Sequence, residues 1–330
     1  MAVKSSFYAS QLRTELCLRN RSHARGRLHV ESYGSQPVIV YAPENHQHGN
    51  FYDAAYAAIT ARPEWMKRFN KVHAQGRALP KPSADPGRKW RELDSSMSSD
   101  ALLMNVFCVP GVLESPLVRN ALGVDAGEAP VFGWKARVPL KSGLFDRTEV
   151  DMRWGSLLVE AKLTESDFQS RTASIVEAYR DIDQVFDREL LPRVALPVGR
   201  RKEAVEFPED YSQEWEETAP PDFEPPNHTV APPTEPAYSS YQLVRNVLAA
   251  YAQGCSFCVV HDERRPDLRE AWFQVMAAVR SAEMRVRLKV LTWQELSALV
   301  PLDLQNFLDL KYGIVAPGHV ASQIEGHDCE

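Results

Sequence analysis

Glu149, Asp151, Glu160 and Lys162 are the residues whose types and spacing point most directly to chemistry. They sit in Glu149-Val150-Asp151 and in Leu157-Leu158-Val159-Glu160-Ala161-Lys162, separated by Trp154-Gly155. The alternation, the glycine and the Leu/Val run read as a β-hairpin. With the turn at Trp154-Gly155, Glu149 is expected opposite Glu160, and Asp151 opposite Leu158 and diagonal to Glu160. Side chains two apart share a face of a strand, so all four point the same way. Facing like charges destabilise a sheet, and a bound divalent cation would offset them.

Hard cations such as Mg²⁺ take carboxylate oxygens, often only one or two, and keep several waters. Bound beside a phosphate, such an ion acidifies a water and steadies charge on a phosphoryl oxygen. A lysine two residues from a ligand carboxylate can hold the attacking water or neutralise the pentavalent phosphate. Asp151 and Glu160, with Glu149 as a further acid, are therefore candidate Mg²⁺ ligands, with Mn²⁺ able to substitute. Lys162 is the candidate nucleophile- or transition-state-stabilising residue, and the reaction is phosphodiester hydrolysis. The same residues also fit an exposed hairpin face of Glu–Lys pairs, which would contribute little.

The elements around the hairpin must position it. Ser98-Ser99-Asp100 offers N-cap chemistry for a helix to about Cys108, with Leu102, Leu103, Val106 and Phe107 as its apolar stripe. Val131 to Leu140 alternates as a strand. Gln169 to Leu191 has helical spacing at Ile175, Ala178, Ile182 and Phe186. Tyr238 to Gln253 reads as a helix with Gln242, Arg245 and Asn246 on one polar face. An apolar strand from Cys255 to His261, a helix from Arg269 to Ala282 and a strand from Arg285 to Leu291 follow. Thr292 can cap a short helix, and Leu302 to Leu310 forms the last one. Upstream, Pro37 to Tyr41 reads as a strand, Phe51 to Ile59 and Trp65 to His73 as helices. His46 and His48 read as polar-loop histidines. Strands alternating with helices imply an α/β fold, a mixed central sheet flanked by helices.

The chain of 330 residues carries a net charge of −6. That figure conceals an asymmetry. Glu203 to Glu235 holds ten acids and no Lys or Arg, so the rest of the chain carries +4. Residues 1–91 hold fifteen Lys and Arg against six acids, Lys67, Arg68 and Lys71 among them. A basic face beside a phosphate-binding groove and scattered solvated charge both fit these counts. The acidic stretch, rich in Pro-Pro pairs, reads as an insertion spanning 192–237 of an irregular character, and a phosphate mimic that occupies a basic groove is one role for it. The expected organisation is a basic N-terminal extension, 1–91, packed on a core of 92–330. No apolar run is long enough for a membrane helix. The five cysteines are too sparse for a disulfide framework, and Cys255-x-x-Cys258 has no second pair. A reducing cytoplasm is the expected location.

An Asp, a gap and then Glu-x-Lys on a strand resembles the PD-(D/E)XK superfamily of restriction-endonuclease-like nucleases, with Val150 in place of the proline. Further blocks resemble a bacterial branch of that superfamily: Glu64-Trp65-Met66-Lys67-Arg68 with Lys71-Val72-His73, Leu93-Asp94-Ser95-Ser96, Ser98 to Phe107, Val159 to Glu165, and Tyr241 to Asn246. The resemblance implies an αβββαβ nuclease core, a DNA endonuclease activity on double-stranded DNA, and a possible homodimer. It also implies that the Tyr241–Asn246 helix lies beside the hairpin, where Gln242 would orient water and Arg245 would meet a phosphate. Lys67, Arg68 and Lys71 join Arg245 as expected nucleic-acid contacts. Many relatives carry another acid on the first helix or strand; Glu92 and Glu128 are the nearest here. The alternative is a catalytically silent nuclease-fold module that binds nucleic acid or recruits a partner.

Overall fold

A computed structural model describes residues 2–33, 36–73, 79–81, 86–198 and 233–318, with side chains described from residue 7. Most of the acidic insertion therefore lies outside the described residues. The elements used below are helices α1 (Ala2–His23), α2 (Asp53–Thr60), α3 (Pro63–Phe69), α4 (Ser99–Phe107), α5 (Tyr241–Gln253), α6 (Pro266–Ala278) and α7 (Leu302–Tyr312), and strands β1 (Val131–Lys135), β2 (Glu149–Trp154), β3 (Leu157–Ala161), β4 (Ser256–His261) and β5 (Leu288–Thr292). The strands form one five-stranded sheet in the order β5-β4-β3-β2-β1. β1, β2 and β3 run antiparallel. β3, β4 and β5 run parallel. Helix α5 makes the crossover from β3 to β4 and α6 lies between β4 and β5, as parallel neighbours require. The succession α4-β1-β2-β3-α5-β4 is the expected αβββαβ order.

Two apolar clusters sandwich the sheet. Leu157, Val159 and Ala161 of β3 join α1, α4, α7 and the Trp65–Phe69 region in one cluster. Leu158, the alternate residue, joins α5, α6, Phe257 and Val259 in the other. The strand alternation thus sorts β3 between two covered faces, which explains why every residue of it is buried. Helix α4 begins as its sequence predicts: Ser98 Oγ accepts from Ala101 N at 3.1 Å. Asn105 lies inside α4 and serves structure, taking Tyr52 N at 2.7 Å and donating to Asn50 O at 2.9 Å.

Three expectations change. Gln169 to Leu191 is not one helix but a bridge at Arg171–Thr172 and single turns at Ala173–Val176 and Ile182–Val185. Its backbone pairs outward instead: Lys141 N donates to Ala178 O at 2.8 Å, Arg180 N to Pro139 O at 3.0 Å, and Phe186 bridges Val279. Those contacts bury Val176, Tyr179, Ile182 and Phe186 in the second cluster and override the helical period. The strand expected over 131–140 stops at Lys135, and Val138–Pro139 pairs separately with Phe145–Asp146. His48 is no loop histidine. It is buried, and its Nε2 lies 3.0 Å from Asp94 Oδ1 while Nδ1 accepts from Asn50 N.

Candidate active site

The hairpin turns one residue later than its sequence suggests. Trp154 pairs with Leu157 and Met152 with Val159, leaving Gly155-Ser156 as the loop. Trp154 stays in the strand because burial holds it there: its Nε1 donates to Glu128 O at 2.8 Å and its ring packs edge-on against Phe107 at 5.9 Å. Gly155 takes φ +56°, which a two-residue hairpin loop demands at its first position. The ladder ends with that Met152–Val159 pair: the Asp151 side chain takes the next β3 amide, Ala161 N, in place of a backbone partner. Asp151 and Glu160 thus come from neighbouring strands, and Glu160 is tied to α5 through Asn246.

Each carboxylate is tethered differently. Asp151 Oδ2 accepts from Ala161 N at 2.7 Å. Glu160 lies 3.2 Å from Lys162 Nζ through Oε1, and its Oε2 accepts from Asn246 Nδ2 at 2.7 Å. Burial, then the charge of Glu160, then that of Asp100 push the Asp151 carboxyl well above the usual carboxylate range; Lys162 and the Ala161 amide pull weakly the other way. Asp100, in the first turn of α4, is thus a third acid felt at the site. Its residue type at an N-terminus is fully explained by helix capping, so sequence reasoning passed over it.

Lys162 is buried, with its Nζ 5.6 Å from the centre of the Phe168 ring. Its backbone is fixed on both sides, N to Val260 O at 2.8 Å and O to Trp293 Nε1 at 2.9 Å. The loop that follows is gripped by Arg265, which donates to the carbonyls of Leu163, Glu165 and Ser166 at 3.2, 2.7 and 3.1 Å and pairs with Asp267. That positioning role was invisible in a sequence where Arg265 stands about a hundred residues away. Glu165 is likewise internal, taking Ser99 Oγ at 2.5 Å and Leu163 N at 2.6 Å, and so ties α4 to the end of β3.

Helix α5 has no side-chain cap, and the loop beyond Lys162 replaces it. Tyr241 N donates to Gln169 O at 2.8 Å and Gln242 N to Phe168 O at 3.0 Å. The helix is buried from Tyr241 through Ala250, so its polar stripe is not a solvated face. Gln242 stands one turn before Asn246 on that stripe, buried. Arg245 donates Nη2 to Glu149 O at 2.7 Å, while its buried Nε and Nη1 have no acceptor among the described residues.

The remaining predicted residues are placed apart from Asp151 and Glu160. Glu149 is paired elsewhere, its Oε2 with Lys71 Nζ at 2.7 Å; burial raises its pKa, but Lys71 and Arg68 outweigh that and hold it below the usual carboxylate range. Arg68 is buried between Glu92, at 2.7 Å, and Asp100. Gly133, at φ +62°, makes room for it: a Cβ there would lie 2.9 Å from Arg68 Cδ. Lys71 also approaches Glu92 at 3.4 Å. Arg68 is thus paired inside the protein, Lys71 shares Glu149 and Glu92 while 38% exposed, and Arg245 keeps two donors without an acceptor among the described residues. Lys67 alone of the four is exposed without an ion pair among the described residues. Glu92 belongs to the same group, paired with both Arg68 and Lys71.

Comparison with known families decides the affiliation. A family model described as restriction endonuclease associating with ARP matches residues 18–313. The chain belongs to that family. The match spans α4, the hairpin and α5 together, so the nuclease resemblance of the sequence extends over the whole described core. No curated protein and no solved structure matches the chain. Among the described residues no set of three His, Cys, Asp or Glu side chains is grouped as a metal site, and no helix is long and apolar enough to cross a membrane.

Proposed function

We propose that the protein is a Mg²⁺-dependent endonuclease that hydrolyses phosphodiester bonds of double-stranded DNA, with Mn²⁺ able to substitute. The observation that carries this reading is the convergence of Asp151, Glu160 and Lys162 at the open end of the β2–β3 hairpin in a restriction-endonuclease family member. The donor set fits a hard cation, since it is all oxygen and carries more negative charge than its protein partners offset. Asp151 feels two like charges and forms no ion pair among the described residues, while Glu160 is paired with Lys162 and Asp100 with Arg68. Asp151 and Glu160 would hold the ion, which when bound supplies an acidified water and charge stabilisation at the phosphoryl oxygen.

The chain's own residues supply the rest. Lys162 would hold the attacking water or a non-bridging phosphate oxygen, and its low exposure keeps that interaction strong. Asn246 fixes the orientation of Glu160, and Gln242, a turn earlier, would donate to the water. Arg265 and Glu165 keep the Lys162 loop in place. Glu149 serves better as the anchor of Lys71 than as a ligand. The family's description names association with ARP, so a partner acting with this nuclease is part of the proposal, and a homodimer would pair two sites for a double-strand cut. A reducing cytoplasm, where Cys17, Cys108, Cys255 and Cys258 stay as the buried free thiols they are, suits such a role.

The test is cleavage of supercoiled plasmid with Mg²⁺, with Mn²⁺ and with chelator. Metal-dependent nicking or linearisation is expected, abolished by Asp151→Asn and Lys162→Ala. A folded wild-type protein inert on double-stranded, single-stranded and methylated DNA and on RNA rejects hydrolysis. DNA binding that persists unchanged in both variants of such an inert protein would instead identify a catalytically silent binding module.

A further inference from the structure

The segment between β1 and β2 is a β-ribbon that the catalytic argument leaves unused. Val138 pairs with Asp146 and Pro139 with Phe145, and Leu140 N closes on Leu144 O at 2.9 Å. One edge of the ribbon is held against 178–180: Arg180 N donates to Pro139 O at 3.0 Å and Lys141 N to Ala178 O at 2.8 Å. On the other strand Asp146 Oδ2 accepts from Tyr179 Oη at 2.5 Å, and the Tyr179 and Tyr241 hydroxyls meet at 2.8 Å. Its tip, Lys141-Ser142-Gly143-Leu144, is exposed throughout. Leu144 is 68% exposed at that tip.

Charge and place complete the description. Arg137, Lys141 and Arg147 are exposed, and none forms an ion pair among the described residues, whereas Lys135, before the ribbon, stands across from Glu149. The ribbon's one acid, Asp146, is occupied by tyrosine hydroxyls, by Thr148 and by its own strand geometry. Arg137 stacks over the Phe145 ring with Cζ 4.4 Å from its centre. The ribbon leaves the carboxyl end of β1 and enters the amino end of β2. In an antiparallel β1–β2–β3 arrangement that is also the end where β3 delivers Glu160 and Lys162. An uncompensated basic ribbon with an apolar tip therefore stands at the same sheet end as the proposed site. This contrasts with Arg68 and Lys71, whose charges are paired with Glu92, Asp100 and Glu149.

We propose that the Val138–Asp146 ribbon enters the major groove of duplex DNA and seats the strand to be cut. The groove is about 12 Å wide and accepts a two-stranded ribbon. Arg137, Lys141 and Arg147 would meet phosphates on either side, and Leu144 would touch base edges, where the thymine methyl is the apolar feature. The proposal rests on the nucleic-acid reading of the site and adds the element that grips the substrate.

The test is equilibrium binding of the full chain to a labelled duplex oligonucleotide in chelator, across a series of salt concentrations. Replacing Arg137, Lys141 and Arg147 together by Ala should weaken binding more than about tenfold and flatten the log K against log salt slope by about 2–3. Leu144→Ser should weaken binding about fivefold or more while leaving that slope unchanged, because no charge is removed. Wild-type affinity and slope in both variants, with native circular dichroism and thermal midpoint, overturn the proposal. The two readings fail separately. Ribbon-dependent binding by a protein that never cleaves keeps the ribbon and removes hydrolysis. Metal-dependent cleavage unaffected by either ribbon variant keeps hydrolysis and removes the ribbon.

Discussion

Asp94 is fully buried and Asp151 half-buried, and the fold treats the two acids in opposite ways. Asp94, fully buried, accepts from His48 at 3.0 Å, Arg88 at 2.9 Å and the Arg91 amide at 2.9 Å. Asp262, also buried, is forked by Arg264 at 2.8 and 2.6 Å and takes Gln294 at 3.1 Å. Asp151 accepts one backbone amide and faces two further carboxylates. A buried charge left to itself costs several kcal/mol, so interiors pair their acids. Where the sheet keeps acids together under-neutralised, the missing positive charge has to come from outside the chain. That contrast separates carboxylates that build the fold from carboxylates held ready for a cation.

Breaking the two classes should give different readouts, starting with the largest. Lys162→Ala is expected to lower the plasmid-cleavage rate about 10³-fold, since the lysine is asked to act on the reacting group, with a smaller drop in thermal midpoint as Glu160 loses its ammonium but keeps Asn246. A comparable loss of folding cooperativity would place Lys162 with the structural residues. Asp94→Ala should do the reverse, destabilising by about 3–5 kcal/mol because Arg88 and His48 are left facing each other without their acid. Urea unfolding measures this, and a loss below about 1 kcal/mol would mean the buried triad contributes little.

The sequence carried one class further than the other. The shared face of Asp151, Glu160 and Lys162 was legible because strand period is two. Moving the turn by one residue shifts the facing pairs by two and leaves every side chain on its own side. Which carboxylates stand opposite each other was not legible, since that depends on Trp154 being buried against Phe107. The polar stripe of α5 could be read as a stripe, but its burial could not, because the loop at Phe168–Gln169 and the second cluster enclose it. Counting charges could not reveal the ion pairs of Arg68 and Lys71. Their partners Glu92, Asp100 and Glu149 come from three other elements, and only folding brings them together. The segment 169–191 shows the same limit, with a helical period satisfied by packing rather than by a helix.

Lys311 sharpens the comparison from the other sign. It is buried between the Tyr41 and Tyr312 rings, at 4.6 and 5.0 Å, with Nζ on Asn20 Oδ1 at 2.5 Å and no carboxylate partner among the described residues. Burial, then Arg27, depress its pKa well below the ordinary lysine value. The unfolded chain therefore binds a proton that the folded chain does not, and stability rises with pH up to the ordinary lysine pKa, at about 1.4 kcal/mol per pH unit. Lys311→Met should remove that slope and add about 1–3 kcal/mol near neutral pH. Denaturation at neutral and at alkaline pH checks both. A variant that keeps the wild-type slope would assign the dependence to another group.

The smallest expected effect is the most telling, because its sign differs between the two acids. Asp151→Asn keeps the side-chain oxygen that accepts from the Ala161 amide but removes the charge repelled by Glu160 and Asp100. In the absence of divalent cations it should raise stability by about 1 kcal/mol, visible as an upward shift in thermal midpoint. Asp94→Asn, which equally keeps an oxygen, strips the negative charge that Arg88 requires and should lower the midpoint. The gain for Asp151→Asn should vanish on adding Mg²⁺, which stabilises the wild type alone by binding its folded form. If both Asn variants move the midpoint downward and Mg²⁺ changes neither the wild type nor Asp151→Asn, then Asp151 is paired like any other buried acid, and the cation argument fails at its root.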